Sequence, residues 1–334
     1  MHRAMFFTKL NGGRIQCRLC PRFCVISAGE FGNCGARKNR NGTLYSEVYG
    51  KIAACNIDPI EKKPLYHFAP GSRTLSIATV GCNLHCIFCQ NWELSQAPKI
   101  FGTPRLPLDI VAEAKKCGVG GISYTYTEPT VFFEFAYDTA KLAKKAGLYN
   151  VLVTNGYINP EPLAEIAQFI DAANVDIKAF SDKAYQKYCG ISSMKPVRSA
   201  VEQMARSGIH VEITNLIVPG MNDNKREIKK MCEWVSGINQ NIPLHFSRYH
   251  PEYRLSAPPT PIQALLGAYK IAKNAGLNYV YIGNVAGDEY NTTYCPSCGK
   301  AAILRRGLGV SEIRLKNGKC LSCSATIIEQ KNLR

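Results

Sequence analysis

The sequence predicts an α/β protein built on a partial (β/α) barrel of the TIM type. Three observations point there. Between residues 70 and 290, seven short apolar, β-branched runs alternate with helical patterns, polar residues recur directly after those runs, and no convincing eighth run completes the series. With 334 residues the chain can bury a core of that size. Its 46% hydrophobic and 20% charged residues are those of a soluble globular protein. Two cysteine-bearing regions flank the barrel: a Cys-, Gly- and Arg-rich segment over 1–69 and a short tail over 291–334 with two cysteine pairs.

Strands are expected at Thr74–Val80, Gly121–Tyr126, Asn150–Thr154, Val175–Lys178, His210–Val218, Leu244–Tyr249 and Tyr279–Ile282. Helices are expected at Pro107–Cys117, Thr130–Ala146, Pro160–Ala167, Lys195–Ser207 and Pro261–Ala275. Gly147, Gly208 and Gly276 follow three of them as C-cap residues. Such alternation implies parallel strands joined by helical crossovers, and reactive groups in such a barrel gather on the loops after the strands.

The strand-end residues fit that expectation. The first strand is followed by Cys82-x3-Cys86-x2-Cys89, within GCNLHCIFCQN. Three thiolates can hold three irons of a cubane [4Fe–4S] cluster and leave the fourth iron open to a cofactor or substrate. A closed structural cluster completed by a fourth cysteine, such as Cys55, is the alternative. The later strands end in Thr125-Tyr126-Thr127-Glu128-Pro129, Thr154-Asn155-Gly156, Asp176-x-Lys178, Pro219-Gly220-Met221-Asn222-Asp223, Arg248-Tyr249-His250-Pro251 and Gly283-Asn284. Singly, each has a plain explanation: Glu128 an acid at a helix N-terminus, Asp176 and Lys178 an ion pair, His250 a loop histidine. Their recurrence at successive strand ends points to one shared site. Gly118–Gly121 precedes a strand instead of opening a helix, which excludes a phosphate loop.

The ordered set GCNLHCIFCQN, YTYTEPT, VTNG, VDIK, IVPGMND, HFSRYHP and YIGNV resembles the radical S-adenosylmethionine (SAM) superfamily over nearly the whole chain. Within it, the set resembles the AmmeMemoRadiSam system radical SAM enzyme, related to pyruvate formate-lyase activating enzyme. The resemblance implies that Cys82, Cys86 and Cys89 ligate a [4Fe–4S] cluster whose fourth iron is chelated by SAM. It implies cofactor-binding roles for Phe88 against adenine, for Thr127 and Glu128 near the methionyl ammonium, and for Asn155, Asp176, Lys178 and His250 along the SAM pocket. Tyr126 and Thr127 stand where Gly-Gly is usual, and Val153 replaces an Asp that serves a monovalent-cation site in that branch. The implied reaction is reductive cleavage of SAM to methionine and a 5′-deoxyadenosyl radical, which abstracts hydrogen from a macromolecular substrate. An activating-enzyme-like protein substrate is implied first. The system's usual associates, Memo-type and Ammecr-type proteins, do not look like glycyl radical enzymes, which keeps RNA modification open. A flavodoxin or ferredoxin is the implied electron donor. A non-catalytic zinc and iron–sulfur binding protein is the remaining alternative.

The other cysteines form two further sets. Cys295-x2-Cys298 and Cys320-x2-Cys323, 21 residues apart, have zinc-ribbon spacing. Four thiolates there would close a tetrahedral zinc shell and fold a tail too small to have its own core, with rubredoxin-type iron the competitor. Cys17-x2-Cys20-x3-Cys24 and Cys34 permit zinc or an auxiliary iron–sulfur cluster. Neither ferredoxin spacing fits them well, which leans towards structural zinc.

Fifteen cysteines in a chain of this length, most of them clustered at metal-ligand spacing, suggest metal sites over disulfides. The N-terminus does not read as a signal peptide and no stretch approaches a bilayer span, so a cytoplasmic protein without membrane contact is expected. The formal charge is +16. Thiolate ligands in one cubane site and two zinc sites would lower this to about +11. The charge is spread along the chain, consistent with a solvated surface or with an anionic partner such as RNA.

Overall fold

The computed structural model describes residues 1–333. Its centre is an eight-stranded sheet whose strands lie side by side in chain order. An edge strand, β1 (Ala54–Pro59), runs antiparallel to β2 (Arg73–Ala78). Six further parallel strands follow: β3 (Gly121–Tyr124), β4 (Tyr149–Thr154), β5 (Ala172–Asp176), β6 (His210–Ile217), β7 (Leu244–Arg248) and β8 (Val280–Gly283). The two edges, β1 and β8, do not pair, so the barrel stays open. All seven strands expected from the sequence are present. β1 comes from within the Cys-rich segment, so the sheet begins before residue 70.

The strands read as near-continuous apolar runs because both faces are covered. All four residues of β3 are buried, as are Ala172, Ala173 and Val175 on β5. The outer layer comprises α1 (Pro107–Lys116), α2 (Phe133–Lys145), α3 (Pro160–Ala167), α4 (Lys195–Arg206), α5 (Lys225–Ile238) and α6 (Ile262–Asn274). α5 was not expected, yet it carries a plain signal. Asn224 caps it by accepting from Arg226 N at 2.9 Å, and buried Ile228, Met231, Cys232 and Val235 form one helical stripe.

The two flanking regions dock at opposite ends of this barrel. The N-terminal region forms two small antiparallel sheets, 2–3 with 43–46 and 37–40, and 7–9 with 15–17 and 25–26. It sits at the C-terminal edge of the strands. Asn159, before α3, donates to Leu19 O (3.1 Å) and Arg18 O (2.7 Å), and Met5 N donates to Glu134 on α2 (2.8 Å). Arg37, 1% exposed, pairs with the same Glu134 carboxylate.

The tail covers the opposite end. Cys295, Ala302, Ile303, Cys320, Ile327 and Ile328 pack with Tyr66, Tyr279 and Tyr281. Arg305, 1% exposed, donates to Tyr66 O (2.7 Å), lies 4.1 Å from the Tyr66 ring centre and faces Glu61 at 3.6 Å. A polar network completes this base. Glu212 on β6 accepts from His67 N (2.6 Å) and bonds the rings of His245 (2.7 Å) and His210 (3.0 Å). His67 bonds Ile327 O through Nδ1 (3.2 Å) and the Tyr281 hydroxyl through Nε2 (2.6 Å). A carbonyl can only accept, so Nδ1 carries a proton, and burial holds the ring in its neutral form.

Candidate active site

The loop after β2 carries Cys82, Cys86 and Cys89 and is held from several sides. Gly81 N donates to Leu94 O (3.0 Å), His85 N to Cys189 O (2.9 Å), Ile87 N to Tyr188 O (3.0 Å) and Arg254 N to Ile87 O (2.9 Å). The His85 ring bridges Gln96 Oε1 (2.6 Å) and Asn33 Oδ1 (2.7 Å). Gly81 has φ +100°, and a Cβ there would lie 2.8 Å from Cys34 O, so only glycine lets the N-terminal region approach this closely.

All three thiols are free of disulfides. The Cys82 sulfur faces Leu84 N (3.4 Å) and Asn155 Nδ2 (3.8 Å), and the Cys89 sulfur faces Ser95 Oγ (3.1 Å). Burial pushes the Cys82 and Cys89 thiols up, while Cys86 is raised first by a hydrogen bond with Cys189 and then by burial. Such thiols ionise readily only when a metal takes the proton's place. Cys189, fully buried at the end of a π-helical turn (Tyr185–Cys189), is a neighbour that the sequence does not reveal, because 102 residues separate it from Cys86. Phe88, within the same loop, is buried.

The ends of β3, β4 and β5 converge here. Thr127 Oγ1 donates to Thr79 O (2.9 Å), tying the end of β3 to that of β2. Tyr126 has φ +63°, a left-handed conformation rare outside glycine. Its hydroxyl donates to Asp58 on β1 (2.5 Å), its carbonyl accepts from Asn91 Nδ2 (2.9 Å), and Lys63 Nζ lies 4.5 Å from its ring centre. A tyrosine thus holds the backbone shape for which glycine is usual in the resembled motif.

Glu128, 1% exposed, is engaged on both oxygens. Oε1 accepts from Thr130 N (3.0 Å), Thr130 Oγ1 (2.6 Å) and Thr154 Oγ1 (2.8 Å), and Oε2 accepts from Asn155 N (2.8 Å). It therefore joins the ends of β3 and β4, and burial raises its carboxyl against those bonds. Asn155 in turn donates to Asn83 Oδ1 (2.9 Å) and accepts from Tyr157 N (2.8 Å).

Asp176 and Lys178 form an ion pair at the end of β5. Burial would lower the Lys178 ammonium, but Asp176 and the Cys86 sulfur outweigh it and hold the group above its ordinary range. Asp176 Oδ1 is buried with no hydrogen-bond partner. An acceptor left open beside three free thiols fits a cofactor that brings a donor. His250 lies exposed in the loop after β7 and is not drawn into this network.

Among the described residues, one group of three or more metal-ligating atoms lies within 4.8 Å of one another: Cys295, Cys298, Cys320 and Cys323. Two of its sulfur pairs are 3.5 and 3.8 Å apart, Cys295–Cys323 and Cys298–Cys320. Tetrahedral zinc, with Zn–S of about 2.3 Å, needs sulfurs about 3.8 Å apart. Cys320 is brought down to about 7, chiefly by the Ser322 backbone N–H.

Comparison with known proteins agrees with this geometry. Residues 76–235, from β2 into α5, match the radical SAM superfamily. An uncharacterized protein of Methanocaldococcus jannaschii is 45% identical over 98% of this chain and 99% of its own length. The pyruvate formate-lyase-activating enzyme of Clostridium pasteurianum is 26% identical over 54% of this chain and 76% of its own. A radical SAM methyltransferase structure from Sphaerobacter thermophilus shares the fold, with a TM-score of 0.53 and 14% identity over 70% of this chain and 71% of that one. With a superfamily match over the strands and loops that carry the three free thiols, and with activating-enzyme relatives over about half of the chain, the chain belongs to the radical SAM superfamily and is an enzyme.

Proposed function

We propose that this enzyme binds SAM at a [4Fe–4S] cluster on Cys82, Cys86 and Cys89 and abstracts a hydrogen atom from a protein substrate. The observation that carries the reading is the convergence of those free thiols with Asn155 and the Asp176–Lys178 pair, in the region that matches the radical SAM superfamily. When bound, cluster and SAM together supply the 5′-deoxyadenosyl radical that takes the hydrogen.

The chain's own residues bind, orient and exclude water. Asp176 Oδ1 offers an open acceptor to a hydroxyl or ammonium donor, and Lys178 holds the Asp176 carboxylate in place. Phe88 and Thr127 line the pocket, Glu128 and Asn155 position the ends of β3 and β4, and His250 belongs to the rim. Burial of the loop keeps water from the reacting centre. We assign zinc to Cys295, Cys298, Cys320 and Cys323, a donor such as flavodoxin or ferredoxin, and Memo-type and Ammecr-type proteins as associates.

RNA is the second reading. The charge of +16 favours it, as does a platform beside the cluster loop, where exposed Trp92 and half-buried Tyr253 stack at 5.1 Å and 12° with Arg254 4.9 Å from the Tyr253 ring centre. The test is deuterium transfer into 5′-deoxyadenosine from labelled cell fractions. Label arriving from the protein fraction supports the proposal; label arriving from RNA alone replaces it with the second reading.

A further inference from the structure

We infer that Cys17, Cys20, Cys24 and Cys34 hold a second [4Fe–4S] cluster, which passes its electron to the cluster on Cys82, Cys86 and Cys89. The inference rests on the radical SAM reading only for the recipient of that electron.

The first observation is a contrast of scale. The tail cysteines have sulfurs at zinc distances, whereas among the described residues no three ligating atoms of the N-terminal set lie within 4.8 Å of one another. Yet all four N-terminal cysteines, each a free thiol, line one pocket, with Leu19, Ile26 and Val131 as its apolar walls. Four inward-facing thiols around a space wider than one tetrahedral ion match the outer corners of a cubane.

The second observation is electrostatic. Arg37 is buried against this pocket, and its Nη1 donates to Cys17 Sγ at 3.4 Å. Positive charge and hydrogen bonds at ligand sulfurs set the reduction potential of a cluster, and they favour the reduced, more negative state. Redox-inert zinc has no such requirement.

The third observation is adjacency. Cys34 O packs against Gly81, whose next residue is Cys82, about 3.8 Å further on from Cα to Cα. Asn83 also lines the pocket, and its backbone carbonyl accepts from Arg22 Nε at 2.5 Å. Its side-chain oxygen accepts at 2.9 Å from Asn155 Nδ2, the amide that faces Cys82 Sγ. Packed and hydrogen-bonded atoms therefore run without interruption from one cysteine set to the other.

The step itself is a one-electron exchange. A low-potential one-electron donor protein reduces the N-terminal cluster from 2+ to 1+. That cluster returns to 2+ as the SAM-binding cluster goes from 2+ to 1+. No bond is made or broken and no proton moves.

The test uses the full chain, reconstituted anaerobically with iron and sulfide. The triple variant C82A/C86A/C89A is expected to keep about four irons and a reducible cubane signal in electron paramagnetic resonance. Zinc or no metal at the N-terminal set in that variant overturns the cluster assignment, whatever the fate of SAM. C20A is expected to lose about four irons, to cleave SAM when driven by dithionite, and to fail when driven by reduced flavodoxin. Undiminished flavodoxin-driven cleavage by C20A overturns the relay. In the unaltered chain, rapid-freeze spectra should show the N-terminal cluster reduced first, and the reverse order also overturns it. Absence of dithionite-driven SAM cleavage by the unaltered chain would count instead against the proposed function, leaving the N-terminal cluster to stand on its iron and its spectrum.

Discussion

The two four-cysteine sets of this protein occupy opposite ends of one barrel. Each region sets one buried arginine against a buried glutamate, Arg37 with Glu134 and Arg305 with Glu61. There the likeness ends. The tail set has its sulfurs drawn together, two of its cysteines exposed, and three tyrosines of the barrel base beneath it. The N-terminal set surrounds a wider pocket and touches the residue before Cys82. Both sequences contain C-x2-C. Spacing therefore identifies a ligand set, and docking position decides whether that set can take part in the chemistry.

The largest effect that would sharpen this contrast separates the two ends by activity. Cys86→Ala should abolish SAM cleavage, read as 5′-deoxyadenosine formed under dithionite. Cys298→Ala should leave cleavage intact at low temperature while the tail loses its metal and its protection from amide exchange. Structural zinc is worth ~10 kcal/mol or more to a small domain, so loss of the tail's fold should be complete. Full loss of cleavage in Cys298→Ala would break the contrast.

Next in size are the two arginines. Removing one partner of a buried ion pair leaves an uncompensated charge and costs about 3–5 kcal/mol. Arg37→Ala should therefore release the N-terminal region to protease, and Arg305→Ala the tail, each without freeing the other. Simultaneous release of both ends by either variant would show that the barrel transmits the damage.

Gly81→Ala is smaller and more local. Its left-handed backbone and the 2.8 Å approach of Cys34 O both oppose a Cβ. A cost of about 1–3 kcal/mol is expected, with the N-terminal region loosened and the tail untouched in hydrogen exchange.

The mildest lever is pH, and it acts at the base. Burial holds His67 down from 6.5 to about 3, so between those values the unfolded chain binds a proton that the folded chain does not. Stability accordingly falls as pH drops below 6.5. The loss is about 2 kcal/mol by pH 5, at ~1.4 kcal/mol per pH unit. Thermal unfolding at the two pH values measures it, and His67→Gln should flatten the difference. An unchanged slope in that variant would remove His67 as the cause.

The barrel was legible because its strands are buried on both faces and so stand out as apolar runs. β1 was not, since its sequence, Ala-Cys-Asn-Ile-Asp-Pro, mixes polar residues with a proline at a sheet edge. α5 is legible too, since Asn224 and the stripe from Ile228 to Val235 carry an ordinary helix signal. The N-terminal strands, two to four residues each, are too short for any periodicity to register. At the site, Cys82, Cys86 and Cys89 are followed along the chain by Glu128, Asn155, Asp176 and Lys178 at successive strand ends, an order visible in the sequence. The approach of Cys189 to Cys86 and the placing of the two cysteine sets at opposite ends depend on contacts between distant segments, which no local pattern encodes.

Tyr126 has one further consequence. A glycine turn at the end of β3 would flex freely, whereas this turn is anchored through its hydroxyl to Asp58 on the edge strand β1. Burial works against the Asp58 carboxylate, but Lys62, Lys63 and Tyr126 hold it well below the usual carboxylate range, so the anchor stays charged throughout neutral pH. The lip of the barrel's open seam and the turn at the end of β3 are thereby tied by one charge-assisted hydrogen bond.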